Sequence, residues 1–362
     1  MRLIKNIKKL GEAGKILKAL KPLQGEDRLT ELTGLKDNPG SLRALCYVPD
    51  GLAEGAPLVV VLHGCTQTAA GYDQGSGWSR LADRHGFALL FPEQTRSNNP
   101  NLCFNWFSAN DSQRGMGEAG SIRSMVEAMR KQHGIDAAQT FVTGLSAGGA
   151  MASVMLATYP EVFAGGAIIA GLPYGCASGV AQAFDCMGGR ALADTAELVG
   201  NVRRASPHRG PWPRVSVWHG SEDRTVAPSN AEAIVRQWAA LHGLPEQPTR
   251  TETVAGYPRR IWAGADGTEL IEEYEITGMA HGTPLMPGTD EGESGEAMAH
   301  MLDVGLSSTD RIAAFFGIAP EPAAGRRKAP APAAPRAAAP SQPAGQVQKV
   351  IEDALKAAGL MR

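Results

Sequence analysis

The chain lacks the features that would mark it for a membrane, for nucleic acid or for a disulfide scaffold. No apolar run approaches the ~20 residues that span a bilayer. Basic and acidic residues nearly cancel, 35 against 37, so there is no electrostatic footprint for nucleic acid. Five cysteines, Cys46, Cys65, Cys103, Cys176 and Cys186, are an odd number in a chain of 362 residues. That argues against disulfides as the main source of stability, although one or two bridges stay open if the protein is exported. No Cys-x-x-Cys pair occurs, which argues against structural zinc. Residues 1–20 scatter lysines throughout and lack the continuous apolar segment and cleavage site of a secretory signal, so a cytoplasmic location is expected.

What is present reads as one large domain with tails. Pro57 to Leu62 is a continuous apolar, β-branched run, as expected of a strand buried on both faces of a parallel sheet. Leu42–Val48, Phe87–Phe91, Phe141–Val142, Gly166–Ala170, Val215–Trp218 and Leu270–Ile276 read as further strands. Between and after them, Trp78–His85, Ser121–Gln132, Ala150–Leu156, Asn230–Leu241 and Thr309–Phe316 read as helices. Strands alternating with helices imply an α/β fold with a mostly parallel, doubly wound sheet.

One stretch organises the rest. Thr143-Gly144-Leu145-Ser146-Ala147-Gly148-Gly149 leaves a strand and enters a helix, the context in which Gly-x-Ser-x-Gly forms the nucleophile elbow of an α/β-hydrolase. Gly144 and Gly148 leave room where strand and helix pass beside the serine. A serine hydroxyl is a weak nucleophile, so it needs a histidine to take its proton and an acid to orient that histidine. In this fold the acid comes first and the histidine after it. Asp223 follows the strand Val215–Trp218, with Glu222 its nearest rival, and His281 follows Leu270–Ile276 inside a glycine-flanked turn. The oxyanion requires two preorganised N–H donors, and the backbone amides of Ala147 and Cys65 occupy the expected places. Cys65 has no elbow around it, so a thiol nucleophile is the poorer reading; His63 is expected to brace the same loop. Gly115 to Gly120 matches Gly-x-Gly-x-x-Gly but follows a polar loop, so no dinucleotide cofactor is expected.

The expected organisation is then a basic amphipathic helix over 1–24, an α/β-hydrolase catalytic domain over 25–319, an Ala/Pro-rich linker over 320–345 and a short amphipathic helix over 346–362. The two amphipathic ends allow another class of reading, a surface- or granule-binding protein with a hydrolase-like scaffold. No propeller-like repeat supports a serine peptidase of related fold.

Several motifs together carry a resemblance. Leu62-His63-Gly64-Cys65-Thr66-Gln67, Pro92-Glu93-Gln94, Cys103-Phe104-Asn105-Trp106-Phe107, Gly144 to Gly148, Gly171-Leu172-Pro173-Tyr174-Gly175 and His219-Gly220-Ser221-Glu222-Asp223 resemble the poly(3-hydroxybutyrate) depolymerase family of esterases, which also takes in feruloyl and acetylxylan esterases. The likeness runs from about Leu42 to Phe316. It implies a triad of Ser146, Asp223 and His281, hydrolysis of carboxylic esters without a cofactor, and a place near the site for Gln67 and Trp106. Two departures stand out. Phe104 replaces a frequent tryptophan, and Thr283-Pro284 stands where an aromatic often follows the catalytic histidine. Members that degrade extracellular polymer usually carry a secretion signal and a separate substrate-binding domain, and neither is read here.

Overall fold

The computed structural model describes residues 28–190 and 192–322. The amphipathic ends and most of the Ala/Pro-rich linker expected from the sequence lie outside the described residues. In chain order the elements are β1 (Thr30–Glu31), β2 (Arg43–Tyr47), β3 (Leu58–Leu62), α1 (Ala69–Ser76), α2 (Trp78–His85), β4 (Ala88–Glu93), α3 (Ala109–Ser112) and α4 (Gly117–His133). Next come β5 (Thr140–Leu145), α5 (Ala147–Thr158), β6 (Gly165–Ile169), α6 (Val180–Met187), α7 (Thr195–Ala205), β7 (Arg214–Gly220) and α8 (Ser229–His242). The described part closes with β8 (Arg250–Val254), β9 (Tyr257–Ala263), β10 (Glu269–Ile276), β11 (Thr283–Leu285), β12 (Met301–Asp303) and α9 (Ser308–Phe316).

Ten strands form one sheet in the order β1-β2-β4-β3-β5-β6-β7-β10-β9-β8. The six from β4 to β10 in this order run parallel, and an antiparallel pair finishes each edge. The pleat sends alternate side chains to opposite faces, and β3 shows why its sequence is unbroken in apolarity. Leu58, Val60 and Leu62 join a core beneath α4, α5, α7 and α8, whereas Val59 and Val61 join a second core beneath α1, α2 and α9. Both faces are covered, so no residue of β3 meets water.

The edge that sequence patterning did not reveal is charged. Arg259 on β9 pairs with Glu252, Glu269 and Glu272, and Arg260 pairs with Glu273 and Glu275. Glu272 and Glu273 are buried on β10 because these guanidiniums compensate them. The β8–β9 hairpin turns on Ala255 and Gly256 at φ 50° and 86°, the positive pair that a tight two-residue hairpin requires. Helix α4 begins four residues before the expected Ser121. The Gly115–Gly120 run therefore enters the helix from α3 and a turn, and no strand precedes it. No helix among the described residues is long and apolar enough to cross a membrane.

Candidate active site

Ser146 occupies the turn between β5 and α5 at φ 56° and ψ −117°, a backbone conformation that L residues rarely adopt. The surrounding chain leaves it no alternative. Its amide donates to Ile169 O at 2.9 Å, which ties the turn to the end of β6. A Cβ on Gly144 would lie 2.4 Å from the Gly148 backbone, and one on Gly148 only 2.3 Å from Leu62 O. Only glycine lets strand and helix come this close, and the closeness presents Ser146 at the carboxyl edge of the sheet.

Asp223 follows β7 with its carboxylate buried and fully occupied. Oδ1 accepts from the Thr225 and Val226 amides at 2.8 and 2.9 Å, and Oδ2 accepts from His281 Nδ1 at 2.6 Å. His219 Nε2 lies 3.3 Å from the same Oδ2 and 2.9 Å from Val226 O, so its N–H is shared between the two. Burial alone would raise the Asp223 carboxyl, but the hydrogen bonds from His219, His281 and Val226 hold it well below the usual carboxylate range. His281 sits between β10 and β11, where its carbonyl accepts from His300 Nδ1 at 3.2 Å. Because Nδ1 faces the carboxylate, Nε2 is the nitrogen left to exchange a proton. No hydrogen bond joins Ser146 Oγ to His281 here; the parallel strands β5, β7 and β10 bring the serine, the acid and the histidine to one edge.

A cavity of about 230 Å³ opens at Ser146. Trp106, Phe107, Leu172, Phe184 and Met187 make its wall predominantly apolar. Cys65 and Ala147 also line it, and among the described residues neither amide has a protein acceptor. Ala147 is the first residue of α5, where no intrahelical partner exists for the N–H. Two free donors beside a serine are what a developing oxyanion needs.

The loop that carries Cys65 is held from three sides. A disulfide joins Cys65 to Cys103 across a Cα separation of 4.2 Å, and Thr66 N donates to Asn101 O at 2.7 Å. His63 donates from Nδ1 to Gly64 O at 2.8 Å and accepts the Gln94 amide at Nε2, so it braces this loop as expected. Burial lowers the His63 pKa, consistent with a neutral ring in that role. Beneath the 103–107 segment, Glu118 on α4 accepts from Gln94 Nε2, Asn105 Nδ2 and Asn105 N, at 2.5, 2.7 and 2.8 Å. Among the described residues no group of three His, Cys, Asp or Glu side chains is placed to hold a metal ion.

The sequence model of the family described as Esterase PHB depolymerase matches residues 42–256. The chain belongs to this family. The match holds β2 to β8, with Ser146, Asp223 and the Cys65 loop inside it and His281 beyond its end. Over 292 residues the chain is 48% identical to poly(3-hydroxyalkanoate) depolymerase C of Paucimonas lemoignei, covering 80% of this chain and 70% of that protein. Feruloyl esterase B of Talaromyces stipitatus is 32% identical over 71% of this chain and 72% of its own. The solved acetyl xylan esterase from Aspergillus awamori superposes with a TM-score of 0.68 at 27% identity, over 80% of this chain and 99% of that one. Membership makes the chain a carboxylic ester hydrolase of α/β-hydrolase fold, which decides against the scaffold reading.

Of the remaining residues expected near the site, Trp106 lines the cavity. Gln67 spends its side-chain carbonyl on the Gly64 amide at 2.8 Å, a loop hydrogen bond. Sequence reasoning assigned no role to His219, Glu118 or the Cys65–Cys103 bridge. For His219 a signal existed, since it is the next-to-last residue of a buried strand and stands four residues before the acid. For Glu118 there was none, because its three donors converge only in the folded chain.

Proposed function

We propose that the chain is a serine esterase acting on hydroxyalkanoate esters through an acyl-enzyme. Ser146 Oγ attacks the ester carbonyl and gives its proton to His281 Nε2, while Asp223 holds the ring by Nδ1. The Cys65 and Ala147 amides take the oxyanion. As the carbonyl re-forms, the alcohol leaves with the proton from His281, and a water molecule then repeats the sequence to release the acid. The observation that carries this reading is the strained Ser146 turn on an apolar cavity wall between two unoccupied amides. The hydroxyalkanoate preference rests on the 48% identity to a depolymerase. A feruloyl or acetylxylan ester is the second reading, favoured by the relatives of those names.

The test is hydrolysis of p-nitrophenyl esters of increasing acyl length, beside a hydroxybutyrate oligomer, methyl ferulate and acetylated xylan. Wild type should prefer the hydroxybutyrate substrate, and Ser146→Ala should lose on the order of 10⁵-fold or more in kcat on every ester. Turnover that survives Ser146→Ala sinks the mechanism; a preference for ferulate or xylan moves the substrate to the second reading. Two finer points belong to the same proposal. Association with a polymer surface through 1–24 and 346–362 is supported by their amphipathic sequence, and deleting them should release the enzyme from polymer while sparing small esters. The Cys65–Cys103 bridge supports an oxidising location over the cytoplasmic expectation.

A further inference from the structure

A second recess shares Trp106 with the cavity at Ser146. It is larger and more polar than the cavity at Ser146, about 550 Å³, and Trp106 is a wall of both. Its lining contains two arginines, Arg114 and Arg204, and no carboxylate. The two are not equivalent. Arg114 is committed, with one N–H to Glu161 Oε1 at 2.6 Å and its guanidinium 4.7 Å over the Tyr159 ring. Arg204, exposed in the last turn of α7, donates to Asn201 Oδ1 at 2.6 Å and pairs with no carboxylate among the described residues. Most of its five N–H donors therefore have no protein partner among the described residues. Ser178 and Asn201 also line the recess, with their side chains engaged by Gln182 and by Gly175 O and Arg204, so Arg204 is the group left for a ligand.

We propose that this recess is a leaving-group subsite in which Arg204 receives the free carboxylate of a linear hydroxyalkanoate oligomer. The assignment rests on the esterase reading above and names the end of the substrate that the site engages. In such an oligomer the alcohol expelled from the scissile ester is the carboxyl-terminal hydroxy acid. With the acyl part in the apolar cavity and the scissile carbonyl at Ser146, the chain passes Trp106 and lays its anionic end in the recess. A neutral sugar leaving group would make no use of the free cation.

The test compares a hydroxybutyrate trimer with its methyl ester, in wild type and Arg204→Gln, with p-nitrophenyl acetate as an independent substrate of the wild type. Wild type should show a KM about fivefold lower for the acid than for the methyl ester, the worth of an exposed charge pair. That preference should shrink as salt is added. Arg204→Gln should bring the two KM values together, and because the comparison lies within one variant, a general loss of folded enzyme does not imitate it. Equal KM values in wild type, or a preference unchanged in Arg204→Gln, would overturn the subsite. Hydrolysis of p-nitrophenyl acetate with neither trimer cleaved would overturn the subsite and the hydroxyalkanoate substrate together while leaving the esterase mechanism intact. Failure on all three esters would instead strike the mechanism itself.

Discussion

Gly148→Ala adds one methyl group at the most crowded point of the elbow. The new Cβ would lie 2.3 Å from Leu62 O and 2.5 Å from His63 O. Ordinary contact begins near 3.4 Å, so helix α5 and the end of β3 must part by about 1 Å. Neither neighbour is a flexible side-chain tip, because both are backbone atoms, one ending β3 and the next opening the Cys65 loop. Overpacking of this kind costs about 1–3 kcal/mol in stability. Activity should suffer more, since the displacement separates Ser146 and the Ala147 amide from the Cys65 amide, and a 1 Å misplacement can cost about 10²-fold. Urea midpoints and kcat/KM on p-nitrophenyl acetate measure the two effects. Gly179→Ala is the control, with open space around its Cβ and an extended φ of −178°, and should stay within about 0.5 kcal/mol of wild type. A Gly148→Ala enzyme with wild-type stability and turnover would refute the claim that close backbone approach builds the elbow.

Two further predictions follow from the supports of the oxyanion loop. Reduction of Cys65–Cys103, or a Cys65→Ser/Cys103→Ser pair, opens a loop of sequence separation 38 and should cost about 4 kcal/mol on the chain-entropy account. It also frees the Cys65 amide, so kcat should fall by roughly tenfold or more, and a reduced enzyme with unchanged kcat would count against Cys65 as an oxyanion donor. Burial pushes the Glu118 carboxyl up to about 8 against the pull of its N–H donors. From the unfolded value of 4.5 up to about 8, the folded chain holds a proton that the unfolded chain has released. Stability should therefore fall as pH rises through that window, by at most about 1.4 kcal/mol per pH unit, and Glu118→Gln should flatten the decline in urea midpoints; a wild-type stability that climbs from pH 5 to 8 would contradict it.

How far the sequence could be read depended on whether a residue's role is set locally. The elbow was legible because its glycines, serine and flanking strand and helix are contiguous, and β3 was legible because burial on both faces removes polar residues from one short run. The Asp223–His281 pairing was foreseeable through chain order, each standing after a buried strand. The β8–β9 hairpin and helices α6 and α7 were not read. Arg259 and Arg260 look like surface residues until their glutamate partners on β10 are aligned opposite them, and that register is a tertiary fact. The Cys65–Cys103 bridge was hidden for the same reason. An odd cysteine count says nothing about which pair meets, and the two sulfurs meet because Thr66–Asn101 pairing folds the 95–107 segment back over the Cys65 loop.

The division of labour within the site has a consequence for substrate range. In the proposed mechanism the nucleophile, acid and histidine stand after β5, β7 and β10, and the oxyanion amides belong to α5 and the loop after β3, so the sheet would fix the reacting centre. The walls that the proposed substrate would meet come from elsewhere. Trp106 and Phe107 belong to the disulfide-tethered segment, Phe184 and Met187 to α6, and Arg204 to α7. Substitutions in these pieces can reshape the acyl and leaving-group sides while the strand ends that hold the triad stay in place. That separation is consistent with relatives bearing the names depolymerase, feruloyl esterase and acetylxylan esterase within one family. It also says where the proposal expects specificity to reside. Changes at Trp106, Phe184 or Arg204 should redistribute kcat/KM among esters, whereas changes at Gly144, Gly148 or Asp223 should lower it for all of them alike.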